Sequence, residues 1–254
     1  MAVNSQLLEY SIQKCYSDFL GYLHLIKNFV KSSLLFWEGK LTWEEIFQIE
    51  EKSNSCYCKA LLDIEWHCSK NTPSANDLRF FLALILSAKD LERCGDYLHS
   101  ISKIVKSDKN RELKKIILGS ELWEIILKYF QTIYSLFRDS IGRIRQLAYQ
   151  ELLAEKMTLH SKLSTLSRQL HQELLNNKGL PLLTELSKSS DPVLLQLADV
   201  EKLLSLSRMI QLLLVKVDRF LDHSFNVVEN FYYIKNQEFK LDYHSLSRES
   251  HLTE

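Results

Sequence analysis

Turn formers are almost absent from this chain, and no other feature restricts its fold so tightly. Only 6 Gly and 3 Pro are spread over 254 residues. Those are too few for the many short strands of an all-β fold or for the connections of a parallel sheet. The chain is therefore expected to be all-α, and the few turn formers mark its helix ends. In "EGKLTWEE", Gly39 offers a C-terminal stop and Thr42 an N-cap, with Glu45 three residues on at capping-box spacing. "SKNTPSANDLR" breaks a second helix before Pro73, with Ser74 or Asn76 available to cap a third, and "KSDKNREL" breaks again near Asp108. Three long antiparallel helices follow, over about residues 5–37, 43–69 and 75–106.

The pattern then recurs. Helices over about 111–140 and 145–176 lead to "NNKGLPLLTELSKSSDPV", an irregular connection marked by Gly179, Pro181, Asp191 and Pro192. A last helical region runs to about residue 236, with room for one break near its start, and "HSLSRESHLTE" is a polar tail expected to be disordered. The repeat can be tested by superposition. Setting "LERCGDYLHSI" over "VDRFLDHSFNV" brings Glu92 onto Asp218, Arg93 onto Arg219, Asp96 onto Asp222 and Ile101 onto Val227, an offset of 126 (218 − 92). An acid, an arginine and a second acid recur half a chain later, each late in a third helix. Two similar three-helix halves are expected, over residues 1–108 and 109–238, with 239–254 as the tail.

Those acids pose a physical problem. At about 100° per residue, Leu78, Phe81, Leu82 and Ile85 form a stripe that continues through Lys89 to Glu92 and Asp96. Like charges at i and i+4 repel by about 0.2–0.5 kcal/mol even when solvated. Burying them costs far more unless they are protonated, paired or bound to a cation. Arg93 lies about 100° round the helix from Glu92, so it is a candidate partner for a neighbouring helix. In the alternative, the helix has left the core by residue 92 and both acids are solvated.

Charge and cysteine usage narrow the classes further. Lys+Arg and Asp+Glu are equal at 32 each, which leaves neither a nucleic-acid footprint nor a basic membrane surface. There is no run of 18 or more apolar residues, and "MAVNSQLLEY" lacks a basic region followed by an apolar one, so a cytoplasmic protein without a transmembrane segment is expected. Cys15, Cys56, Cys58, Cys68 and Cys94 are odd in number, without the spacing of a disulfide framework, and read as reduced thiols. Cys56, Cys58, His67 and Cys68 cluster on paper, but residues two apart on a helix point roughly 200° from each other, which favours packing over zinc. The chain contains no E-x-x-H, no phosphate-cradling G-x-x-x-x-G-K-[ST] loop and no G-x-S-x-G elbow. An enzyme is not expected.

The residues carry a resemblance. "TPSANDLR", then an apolar stretch and "DLERCGD", resembles the first half of the PhoU family, accessory and regulatory proteins of high-affinity phosphate uptake. "VDRFLDHSFNVVENFYYIKNQEF" is similar to that family's second motif, and the resemblance covers about residues 10–242. It implies two three-helix bundles related by a pseudo-twofold, each with an acid pair able to hold iron or another divalent metal. Carried over residue by residue, the metal candidates are Glu92 and Asp96 in the first half and Asp218 and Asp222 in the second; Asn226 and Glu229 also match the second motif. It further implies a homodimer and a negative regulator that restrains the phosphate ABC importer when phosphate is plentiful. Its partners would be the importer's ATPase subunit and, where one exists, a sensor histidine kinase. A structural helical adaptor is the competing reading.

Departures from the family pattern are equally specific. Further acids expected on the second helix of each half are replaced by "SNSCY" at 53–57 and "LHSKL" at 159–163, leaving Glu50, Glu51 and Glu155 nearby. Leu221 stands where the first half has Gly95. His99 reads as a helix-surface histidine and His223 as an interhelical hydrogen-bond partner. Asp77 and Arg79 read as braces at a helix start, and Phe231, Tyr232 and Tyr233 as packing against the opposite half.

Overall fold

The structure, a computed structural model, describes residues 5–71, 73–106, 111–140, 143–176 and 193–236. All secondary structure among them is helical: α1 (Ser5–Glu38), α2 (Trp43–Asn71), α3 (Ala75–Ile104), α4 (Arg111–Leu118), α5 (Leu122–Ser140), α6 (Gln146–Leu174) and α7 (Val193–Asn236). The first turn is built as its residues dictate. Gly39 closes α1 at φ +81°, a conformation that L side chains avoid, so that Gly39 N donates to Phe36 O and Lys40 N to Leu35 O. Three residues later the capping box forms: Thr42 N donates to Glu45 Oε2 at 2.7 Å and Glu45 N to Thr42 Oγ1 at 3.3 Å. At the start of α3, Ser74 Oγ donates to Asp77 Oδ2 and Arg79 Nη1 to Asn76 Oδ1, so Asp77 and Arg79 brace the helix entry.

Two helix boundaries differ from the sequence expectation. The segment 111–140 is two helices, because Ser120 N donates back to Ile117 O in a tightened last turn and Ser120 Oγ then accepts Leu122 N to restart the helix. The apolar periodicity runs through both pieces and hides the Gly119–Ser120 interruption. Conversely, α7 runs unbroken from Val193 to Asn236. The connection at 177–192 and the tail lie outside the described residues.

Helices α1, α2 and α3 pack against one another, while α7 packs on α5 and α6 and makes its most extensive pairing with α3. Helix α1 also reaches α5, so the two halves share one core. That core is knotted by rings from four helices: Phe231 of α7 lies 5.2 Å from Phe19 of α1, 4.9 Å from Phe137 of α5 and 6.2 Å from Phe80 of α3. No helix among the described residues is long and apolar enough to cross a membrane.

The α3–α7 pairing is antiparallel, since Ser87 meets the Val227 carbonyl while Cys94, further along α3, meets the Phe220 carbonyl, earlier on α7. Cys94 and Phe220 are 126 residues apart, which is the offset of the sequence repeat. Tyr97 stacks on His223, again its own repeat equivalent (223 − 97 = 126). A residue can touch its own equivalent only beside a twofold axis, so the pseudo-twofold passes through the middle of the α3–α7 contact.

Gly95 sits beside that axis and lets α2 approach α3. A Cβ built there would lie 2.6 Å from Ser53 Oγ and 3.3 Å from Ser53 Cβ, and Ser53 Oγ is held by the Tyr22 hydroxyl at 3.0 Å. Gly95→Ala gains about 1 kcal/mol of helix propensity but forces overpacking that costs about 1–3 kcal/mol and displaces a bonded hydroxyl. Urea unfolding should show a net loss of stability, part of which Ser53→Ala restores in the double variant.

Candidate functional site

Each acid pair faces the second helix of its own half, and the two pairs are neutralised differently. In the first half, Arg93 folds back along its own helix: Nε lies 3.5 Å from Glu92 Oε2 and Nη1 3.1 Å from Asp96 Oδ2. Arg93 thus serves its own pair rather than a neighbouring helix, which the 100° offset alone did not foretell because a long guanidinium side chain spans it. The side chains are 20 % exposed for Glu92 and 35 % for Asp96, so neither reading of fully buried or fully solvated acids holds. Burial pushes the Glu92 carboxyl above the usual carboxylate range, and Asp96 pushes it the same way, as does Glu50 across on α2. His99 is half-buried. It packs 4.9 Å from the Trp43 ring and 6.2 Å from Phe47, and burial holds its pKa low.

In the second half, α6 presents Lys156 and His160 one turn apart. Lys156 Nζ lies 2.8 Å from Asp222 Oδ1, His160 Nδ1 lies 2.5 Å from Asp218 Oδ1, and His160 Nε2 is 3.5 Å from Asp222. Arg219 Nη1 reaches the other Asp222 oxygen at 3.6 Å. Sequence reasoning had marked the acids missing from this helix and overlooked the bases in it. The signal was legible as a basic residue and a histidine at i and i+4.

A third polar constellation lies between the halves and had no counterpart in the sequence reading. Asp90, on α3, accepts three hydrogen bonds from α7: His223 Nδ1 at 2.8 Å and Asn226 Nδ2 at 3.3 Å on one oxygen, and Asn230 Nδ2 at 2.8 Å on the other. His223 is thus the interhelical partner expected of it. Glu229, on the same stretch, accepts from the Tyr149 hydroxyl at 3.2 Å, and burial raises its pKa. Phe231 packs across to the first half, whereas Tyr232 stacks on Tyr149 of its own half at 4.1 Å and Tyr233 bonds the same tyrosine.

The resemblance implies a divalent metal on the acid pairs, and hard cations of that kind want several oxygen ligands. Among the described residues, no group of three or more His, Cys, Asp or Glu side chains is placed to hold a metal ion. Each pair instead meets protein cations, so the donor set does not fit a metal in this arrangement. The cysteines are unpaired thiols, with Cys15 and Cys94 buried and Cys58 exposed.

Comparison with known proteins supports the resemblance for part of the chain and the fold for nearly all of it. Residues 26–105, which contain the Glu92–Asp96 helix, match the PhoU domain. An uncharacterized protein of Mycoplasma pneumoniae, the MG409 homolog, is 25 % identical over 248 residues, covering 93 % of this chain and 98 % of its own. The uncharacterized MG409 protein of Mycoplasma genitalium is 22 % identical over 247 residues, covering 93 % and 97 %. Among solved structures, the phosphate transport system regulatory protein PhoU of Streptococcus pneumoniae superposes with a TM-score of 0.63 at 16 % identity, covering 91 % of this chain and 98 % of that one. PhoU of Pseudomonas aeruginosa gives 0.60 at 14 %, covering 91 % and 99 %. The PhoU fold therefore extends through both halves, and the resemblance read in the two motifs is borne out.

Two outcomes follow from this geometry. Because the Glu92 pKa is raised on folding, the folded state prefers the protonated acid. Stability is highest below the ordinary carboxylate range and falls as pH rises through the raised value. Glu92→Gln, uncharged throughout, should lose that slope, so its urea midpoint relative to wild type should improve from pH 4 towards neutrality. Asp90→Ala leaves three donors without their acceptor and should cost about 1–3 kcal/mol; in a double-mutant cycle with Asn230→Ala the two losses should be less than additive.

Proposed function

We propose that this chain is an accessory regulator of phosphate uptake that restrains a phosphate ABC importer when phosphate is plentiful. The observation that carries this reading is the PhoU domain at residues 26–105 together with the PhoU fold over 91 % of the chain. The solved structure of that fold from Streptococcus pneumoniae is described as a phosphate transport system regulatory protein. The partner implied is the importer's ATPase subunit, with a sensor kinase where the cell has one, and the working form is a homodimer in the cytoplasm. The action is binding rather than catalysis, since the sequence holds none of the nucleophile or phosphate-loop motifs sought above.

The test is a tagged full-length chain expressed in its own cells. At high phosphate it should co-purify with the importer's ATPase subunit, and cells lacking the chain should take up labelled phosphate faster at high phosphate. Unchanged uptake, with no ATPase subunit captured at either phosphate level, would overturn the proposal and leave the structural-adaptor reading.

A further inference from the structure

We propose that the second acid pair is a self-contained ion cluster in which Lys156 and His160 of α6 hold the place of a bound cation, so that no divalent ion engages it. Both oxygens of Asp222 are already engaged: Oδ1 by the Lys156 ammonium at 2.8 Å, with His160 Nε2 at 3.5 Å, and Oδ2 by the Arg219 guanidinium at 3.6 Å. The ammonium is the most enclosed charge there, 17 % exposed against 27 % for Asp222. It also lies 5.0 Å from the centre of the Phe225 ring, and its field reaches Glu229. A divalent ion could use Asp222 only by expelling that ammonium or by standing a few ångströms from it, and both oppose binding.

The first half is built the other way at the equivalent place. Matching 53–57 to 159–163 sets a register of 106 (159 − 53), which brings Lys156 onto Glu50 (156 − 106) and His160 onto Asn54 (160 − 106). Glu50 adds negative field at Glu92 instead of cancelling it, and Asn54 Nδ2 donates to Glu50 Oε1 at 2.7 Å. Glu92 and Asp96 there meet Arg93, which is 50 % exposed, and Glu92 also feels Lys89, while Glu50 adds a third negative charge. The two copies of the repeat thus carry opposite charge at the position facing the acid pair.

The experiment counts Mn²⁺ bound to the full-length chain by equilibrium dialysis and follows thermal melting in chelator. Asp222→Asn should bind as much Mn²⁺ as wild type. Lys156→Met should bind one more Mn²⁺ ion per chain and melt several degrees lower in chelator, with Mn²⁺ restoring the midpoint. The double variant Lys156→Met/Asp222→Asn, which removes both charges, should lose that additional ion and melt closer to wild type than Lys156→Met. Loss of a Mn²⁺ ion on Asp222→Asn alone would overturn the proposal, as would a Lys156→Met chain that neither gains Mn²⁺ nor melts lower. These counts are independent of ATPase capture, so the proposal and the regulatory reading can fail separately.

Discussion

The antiparallel contact of α3 with α7 is the constraint on which the rest of the molecule depends. Each helix is shared between its own half and the junction of the halves, so it must bury one face in a bundle and another against its repeat equivalent. That requirement explains why the buried positions of α3 include small residues, with Ser87, Ala88 and Gly95 all enclosed. Small side chains let backbone approach backbone, and Ser87 and Cys94 then direct their polar hydrogens to α7 carbonyls. With both of these faces committed inward, the acids at 92, 96, 218 and 222 are turned towards α2 and α6, at the outer margins of the bundles.

Register along this contact is fixed by polarity rather than by hydrocarbon. An apolar seam between two long helices tolerates a slip of one turn at modest cost. Asp90 does not. Slipped by a turn, its carboxylate would leave the amides of Asn226 and Asn230 and the imidazole of His223, and a largely buried, unsatisfied charge is far costlier than a cavity. The Phe231 ring cluster begins at the residue after Asn230, where it ties α1, α3 and α5 to α7.

Much of this was legible in the residues. Gly39, Thr42 and Glu45 dictate a turn by local chemistry alone, and it formed as written. The repeat offset of 126 was readable because both copies keep an acid, an arginine and an acid, and the fold places equivalent residues in contact at that offset. What escaped reading was whatever depends on a partner far away in sequence. Asp90 lies two residues before Glu92 and looks like one more helix-surface acid until α7 is laid beside it. Lys156 and His160 belong to a stretch notable, in sequence, only for the acids it lacks. The break at Gly119–Ser120 was masked because hydrophobic periodicity continues across it.

The divergence of the two halves has a physical logic that duplication alone does not supply. Once two carboxylates are fixed i, i+4 on a half-buried helix face, their repulsion must be offset by an external ion, by protonation or by a built-in base. Lys156 and His160 are a built-in answer, available at every metal concentration, and they convert a place sensitive to solution ions into permanent structure. In the first half, Glu50 deepens the negative field at Glu92, and Arg93, from an exposed position, and Lys89 offset it. The two copies thus meet the same repulsion with opposite charge at one position of the second helix, Lys156 in one and Glu50 in the other.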